Sequence, residues 1–158
     1  YRVAAQNSVY TLLSSNKMIA DKIIYERNYR IEDSIPNLKW KMLGEYREIA
    51  GFNCRKASTI IMDSIYVIAF YTNEISVSAG PESFQGLPGM ILGIVIPRLN
   101  ITYFATKVEN MVLSDIDFKI PNAPKNKKAN ILEFKNEILK DTKDWGEDGP
   151  KIYWKAML

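Results

Sequence analysis

Apolar and polar side chains alternate over much of this chain, the mark of strands that bury one face and wet the other, as antiparallel sheets do. From Ile23 to Glu32 one side carries Ile23, Tyr25, Arg27, Tyr29 and Ile31, and the other Ile24, Glu26, Asn28, Arg30 and Glu32. From Leu38 to Arg47, Leu38, Trp40, Met42 and Tyr46 are set against Lys39, Lys41, Glu45 and Arg47. Ala50-Gly51 predicts a turn, and residues 52 to 61 the returning strand. The next break is Asp63-Ser64. Beyond it, residues 65 to 72 (IYVIAFYT) are apolar on both faces and rich in β-branched and aromatic residues. That pattern predicts a central strand covered on both sides, by a helix, another sheet or a ligand. Residues 90 to 96 predict a further apolar strand stopped by Pro97, and residues 99 to 108 and 112 to 120 two more. The last of these places Val112, Ile116, Phe118 and Ile120 on one face.

Two segments predict helix. The first is short, residues 7 to 14. The second opens at Asn130 as a cap, with Glu133 three residues on and Ile131, Phe134, Ile138 and Leu139 along one side. It is expected to end near Trp145-Gly146, where GEDG (146 to 149) reads as a loop. No internal repeat or low-complexity tract interrupts this order. The sum is a mainly β (α+β) fold: a curved antiparallel β-meander of about seven strands with a C-terminal helix packed on one face. Residues 1 to 158 are read as a single domain, a length able to close one hydrophobic core.

Composition narrows the function more than the fold. Hydrophobic residues at 47% and charged residues at 25% fit a globular chain. The net charge of +3 comes from 21 basic and 18 acidic residues mixed along the sequence. Its dense basic cluster, Lys125, Lys127 and Lys128, sits among Pro and Asn and reads as a solvated loop, so nucleic acid is not an expected partner. Histidine is absent, which removes Ser-His-Asp and Cys-His nucleophiles, His-containing zinc sets and imidazole switches. One cysteine excludes an internal disulfide. No apolar run of about 20 residues is present to span a membrane as a helix. The chain opens on Tyr1 rather than Met, read as a processed product whose export signal has been removed.

The stretch from 73 to 89, NEISVSAGPESFQGLPG, joins two buried strands and is longer than most connections, as functional or mobile loops are. Gly80-Pro81 marks one turn, and Leu87-Pro88-Gly89 predicts a type II turn with Pro and Gly at its centre. Pro restricts φ and Gly accepts φ > 0, so an ordered loop is expected. Phe84 and Leu87 can anchor it by burying apolar area, worth about 1.5–3 kcal/mol each. The loop is either a rigid corner or a contact for a ligand or partner. In the second reading Gly80, Pro81, Glu82, Phe84, Gly86, Leu87, Pro88 and Gly89 are the candidate binding residues.

The run GPESFQGLPGMILGI (80 to 94) resembles the signature of the GLPGLI family, with Met90 in place of Leu. WKMLGEYREIAGFNCRKAS (40 to 58) is similar to that family's Trp-led strand, turn and returning strand. IYVIAFYTNEI (65 to 75) is similar to the strand that enters the loop, although Ile68 and Phe70 depart from its commonest wording. The resemblance covers about residues 18 to 110, and the tail from Met111 carries no matching signature. It implies an exported protein of Bacteroidetes-type bacteria, in the periplasm or cell envelope, from a family without an established activity.

Other residues carry weaker chemistry. Cys54 shares a face with Phe52 and reads as a small buried residue. A reactive thiol would need a stabilising neighbour, and Lys56 alone of its basic neighbours shares its face. Glu82 and Glu74 are the loop's carboxylates and read as solvated charge. Gly80, Gly86, Gly89 and Gly93 do not form a phosphate loop, since no Lys-Ser/Thr follows and the segment enters a strand. The Asn100-Ile101-Thr102 sequon is incidental in a bacterial export product. Trp40, Tyr46, Tyr66, Phe70, Tyr71, Tyr103 and Phe104 all fall on predicted strands, as core or as the lining of a concave face. No catalytic residue, metal site or cofactor is expected. The expected role is a non-enzymatic envelope protein that binds an apolar or lipid-like ligand, in a cavity between the sheet and the 130–145 helix. The alternative is an interaction module that meets an envelope protein through the loop, with Phe84 and Leu87 exposed.

Overall fold

The strand segments of this protein pair antiparallel with their chain neighbours as expected, but into two sheets. A computed structural model describes residues 7–114 and 118–158. In chain order the described elements are β1 (Ser8–Leu12), β2 (Lys17–Ile24), β3 (Arg27–Ser34), β4 (Lys41–Ile49), β5 (Phe52–Ile61), β6 (Ile65–Thr72), β7 (Met90–Ile96), β8 (Ile101–Phe104), β9 (Lys127–Ala129), α1 (Ile131–Asp141) and α2 (Asp148–Met157). The chain divides into two compact units, one holding residues up to Ile35 and from Leu113 onward, the other Pro36–Val112.

In the first unit the four-stranded sheet runs β1-β2-β3-β9. The segment expected to be a short helix, 7 to 14, is instead strand β1, paired antiparallel from Ser8↔Asp21 to Leu12↔Lys17. Its SVYTL sequence suits a pleated surface better than a helix, and sheet pairing outweighs the weak helical pattern. The alternation from Ile23 to Glu32 spans two strands. Tyr25 and Glu26 both take positive φ, 49° and 64°, and form a tight hairpin turn. Pairing of Ile24 with Arg27 and Ile23 with Asn28 changes which residues share a face. Ala20, Ile24, Tyr29 and Ile31 are buried, while Ile23 and Tyr25 are exposed.

β9 joins β3 in parallel and delivers α1, whose Asn130 and Glu133 form the expected reciprocal cap. Phe134 and Ile138 of α1 are fully buried, and the Phe134 ring meets Tyr29 edge-on at 5.1 Å between centroids. These side chains pack the helix onto its sheet, and neither groove described below lies there, where the sequence places a ligand cavity. Ion pairs and hydrogen bonds stitch the same elements. Arg30 makes two bonds to the Asp21 carboxylate, at 2.8 and 2.6 Å, and a third at 2.7 Å to the carbonyl of Pro121. Glu137 accepts from Tyr29 at 3.0 Å and from Lys127 at 2.6 Å. The helix ends at Asp141, earlier than expected, and part of GEDG opens α2. A side chain at Gly149 would come within 2.7 Å of the Thr142 carbonyl, so this glycine serves close approach inside a helix rather than a loop. Pro150 is tolerated there because it lies in the first turn.

The second unit is a five-stranded antiparallel meander, β4-β5-β6-β7-β8, with every neighbour adjacent in sequence. The Ala50-Gly51 turn stands as expected, with φ of 52° and 84°. β6 is the central strand. One of its faces, with Val67, Ala69 and Tyr71, is buried along its length. The other is buried at Phe70 and Thr72 but open at Tyr66, so the two-sided cover expected there is incomplete. Leu38 to Trp40 precede β4 rather than belong to it, and β4 carries a register shift between Met42 and Tyr46. β7 ends before Pro97 as expected, whereas the strand expected over 99 to 108 is confined to β8. No strand forms over the described part of 112 to 120; Val112 and Phe118 are exposed, and Ile116 lies outside the described residues.

Candidate functional site

The loop from Asn73 to Gly89 is braced at several points, which accounts for its order without regular structure. The N–H of Met90 donates to the carbonyl of Ile75 at 3.1 Å, and that of Ile91 to Ala79 at 2.8 Å. The N–H of Gly86 donates to the Ser78 hydroxyl at 3.0 Å. From outside the loop, the indole N–H of Trp40 donates to the carbonyl of Gln85 at 2.7 Å. Phe84 and Leu87 are 4% and 1% exposed. They anchor the loop, and the exposed apolar patch expected around them is absent.

The turn at Leu87-Pro88-Gly89 differs from the expected type II form. The N–H of Gly89 donates to the carbonyl of Leu87 at 2.8 Å, closing a three-residue turn around Pro88. Met90 would close a type II turn, but its N–H is taken by Ile75. Gly89 has φ of 150°, and a side chain there would collide with the Thr72 carbonyl. Gly86 has φ of 97° and sits against the Trp40 indole, while Gly80 leaves a would-be side chain only 2.7 Å from Ile91 Cβ. Glycine is therefore required by space at Gly80 and Gly89 and by backbone angle at Gly86 and Gly89. Glu82 takes φ of 54° in the turn that follows Pro81.

Of the eight candidate residues, Pro81 reaches an open surface with binding character. It forms one wall of a groove of about 420 Å³ whose other walls are Ile91 and Leu92 of β7 and Thr102, Tyr103 and Phe104 of β8. Gly93 makes this shape possible, since a side chain there would come within 2.6 Å of the Phe104 ring. The Arg47 guanidinium stacks over Phe104 at 4.6 Å from its centroid, the distance of a cation–π contact. Burial raises the Tyr103 phenol above its ordinary pKa, and the charge of Glu82 raises it further. The hydroxyl therefore stays a neutral donor through the physiological range. Phe84, Leu87 and Gly89 are buried within the loop, Gly80 is half-buried, and Gly86 and Pro88 are exposed. Sequence reasoning named Tyr103 and Phe104 only as strand aromatics. The pairing of β7 with β8, which sets them beside Pro81, has no local signature.

Cys54 is fully buried in a cluster with Ile49, Phe70 and Leu92. Burial pushes its thiol pKa up, and the charge of Glu74 adds to that. Neither basic neighbour activates it: Arg55 donates to the Leu43 carbonyl at 2.8 Å, and Lys56 pairs with Glu45 at 2.8 Å. Among the described residues no group of three or more His, Cys, Asp or Glu is placed to hold a metal ion. No described helix is long and apolar enough to cross a membrane.

The fold and site thus define a mainly β protein whose five-stranded meander carries a rigid Gly/Pro loop beside an apolar groove. A family described as protein of unknown function (Porph_ging) matches residues 59–93, from the end of β5 through the loop into β7. No curated protein matches the chain. A solved structure of PNGF-II is similar, with a TM-score of 0.59 and 22% identity over 85% of this chain and 25% of that one. At that identity the likeness concerns the fold alone, and this chain spans about a quarter of the PNGF-II chain.

Proposed function

We propose that this chain is a non-enzymatic, exported protein of the periplasm or cell envelope, of the GLPGLI type, that holds an apolar or lipid-like ligand. The groove walled by Pro81, Ile91, Leu92, Tyr103 and Phe104 carries this reading. Its size lies within the usual range of small-molecule sites, and its lining is mostly apolar, with Thr102 and Tyr103 as the hydroxyl-bearing residues. The loop's bracing keeps Pro81 in place, so binding needs no ordering of the chain and loses little entropy to it. Burial of Cys54 and engagement of its basic neighbours support a role without thiol chemistry.

Native mass spectrometry of the protein purified from its own envelope tests this directly. A bound lipid-sized mass is expected, and it should vanish in Thr102→Trp, whose indole would fill the groove. A clean apo mass for the unaltered protein would refute the reading. A second reading is favoured by the exposure of Val77 and Pro88 on the outer surface of the loop: an interaction module that meets an envelope protein there. It predicts a stoichiometric protein partner in the same measurement, lost in Val77→Asp.

A further inference from the structure

Trp40 and its two lysine neighbours have different tasks. In the segment leading into β4, these neighbours meet different partners. Trp40 turns to the loop and bonds Gln85. Lys39 and Lys41 both line a second groove, of about 510 Å³. Their backbones are held. The hydroxyl of buried Thr59 donates to the Lys39 carbonyl at 2.8 Å, and Lys41 pairs with Ser58 across β4 and β5.

The floor of this groove is apolar and exposed. Ile60 and Tyr66 are cross-strand partners on β5 and β6, 64% and 45% exposed, with Leu38 beside them. Single exposed apolar residues are ordinary. An adjacent Ile–Tyr pair in a groove also lined by two lysines is a different arrangement, apolar and cationic together. Among the described residues neither Lys39 nor Lys41 pairs with a carboxylate; the nearby Glu45 is taken by Lys56. Two lysines on one groove suit an anion, and the Ile60–Tyr66 floor suits a hydrocarbon. The volume suits one small molecule, well short of what a bilayer or a nucleic-acid strand would need.

We propose that this groove binds a single-chain anionic amphiphile, its carboxylate on Lys39 and Lys41 and its apolar chain over Ile60 and Tyr66. It is independent of the groove beside the loop, with which it shares no lining residue. Titration of the full chain with 11-(dansylamino)undecanoic acid reads the binding by dansyl fluorescence. Saturable binding is expected, displaced by dodecanoate and not by dodecanol, and weakened by salt at about 0.5 M. The double variant Lys39→Gln/Lys41→Gln should bind about tenfold more weakly, as fits the loss of charge-assisted contacts. Ile60→Ser should weaken it as well, with the same denaturation midpoint showing an intact fold. Binding unchanged in the lysine variant, equal displacement by dodecanol, or no saturable binding by the unaltered protein would overturn the proposal. So would cosedimentation with phosphatidylglycerol vesicles without uptake of the free acid.

Discussion

A methyl group at Gly89 would run into the Thr72 carbonyl, and the residue's φ of 150° is one that L side chains rarely adopt. Gly89→Ala is therefore expected to destabilise the protein by about 1–3 kcal/mol or more, read as a lower urea midpoint. Leu87→Ala should cost about 2–5 kcal/mol, because this fully buried side chain leaves a cavity. Pro88→Ala, between them but exposed, should cost under about 1 kcal/mol through the freer unfolded chain. If Pro88→Ala proved as damaging as Leu87→Ala, the loop would not be anchored as described. At this scale the candidate site was partly legible. The Gly and Pro positions stood out because few residues tolerate such backbone angles, and Phe84 and Leu87 were identifiable as anchors. Met90, whose N–H would close the longer turn at Pro88, donates instead to Ile75, fifteen positions earlier, and no local pattern encodes that bond.

Elements with strong local rules were legible, and those set by distant partners were not. The start of α1 at Asn130 follows from its capping chemistry, and Asn130→Ala should lower stability by about 1 kcal/mol in chemical denaturation. An unchanged midpoint would mean that the cap contributes nothing here. The turn at Tyr25-Glu26 escaped notice because neither residue is a usual hairpin former at positive φ; the alternation runs through it unbroken in sequence. α2 was hidden because Gly146, Gly149 and Pro150 read as loop residues. In the structure Gly149 is instead the point where α2 touches Thr142, and Pro150 sits where its missing N–H does no harm. The fourth strand of the first sheet was likewise hidden: β9 is three residues whose partner is nearly a hundred positions earlier.

Charge adds a property of the molecule as a whole. The Arg30 guanidinium holds the Asp21 carboxyl below its ordinary range, Lys127 does the same for Glu137, and Lys17 for Glu32. Each carboxylate binds protons less readily when folded, so the stability it adds is present above its unfolded pKa, near 3.8 for Asp21 and 4.5 for the two Glu, and is lost as pH falls through the lower folded values. Tyr29, Tyr103 and Tyr153 shift upward, chiefly by burial, so stability should also decline as pH rises past about 10. Urea midpoints across pH should fall at both ends, and Asp21→Asn should flatten the acid limb. An acid limb identical in that variant would remove Asp21 from the account. The sheet connectivity bears on how the protein is made. Every strand of β4 to β8 finds its neighbour next along the chain, whereas β3 must wait for Lys127–Ala129 to leave the ribosome before its outer edge is filled. Short-range pairings close fastest, so the middle of the polypeptide should mature first and the two ends join last. Until they do, β3 offers an open hydrogen-bonding edge, the moment in the protein's life when misassembly is most to be expected.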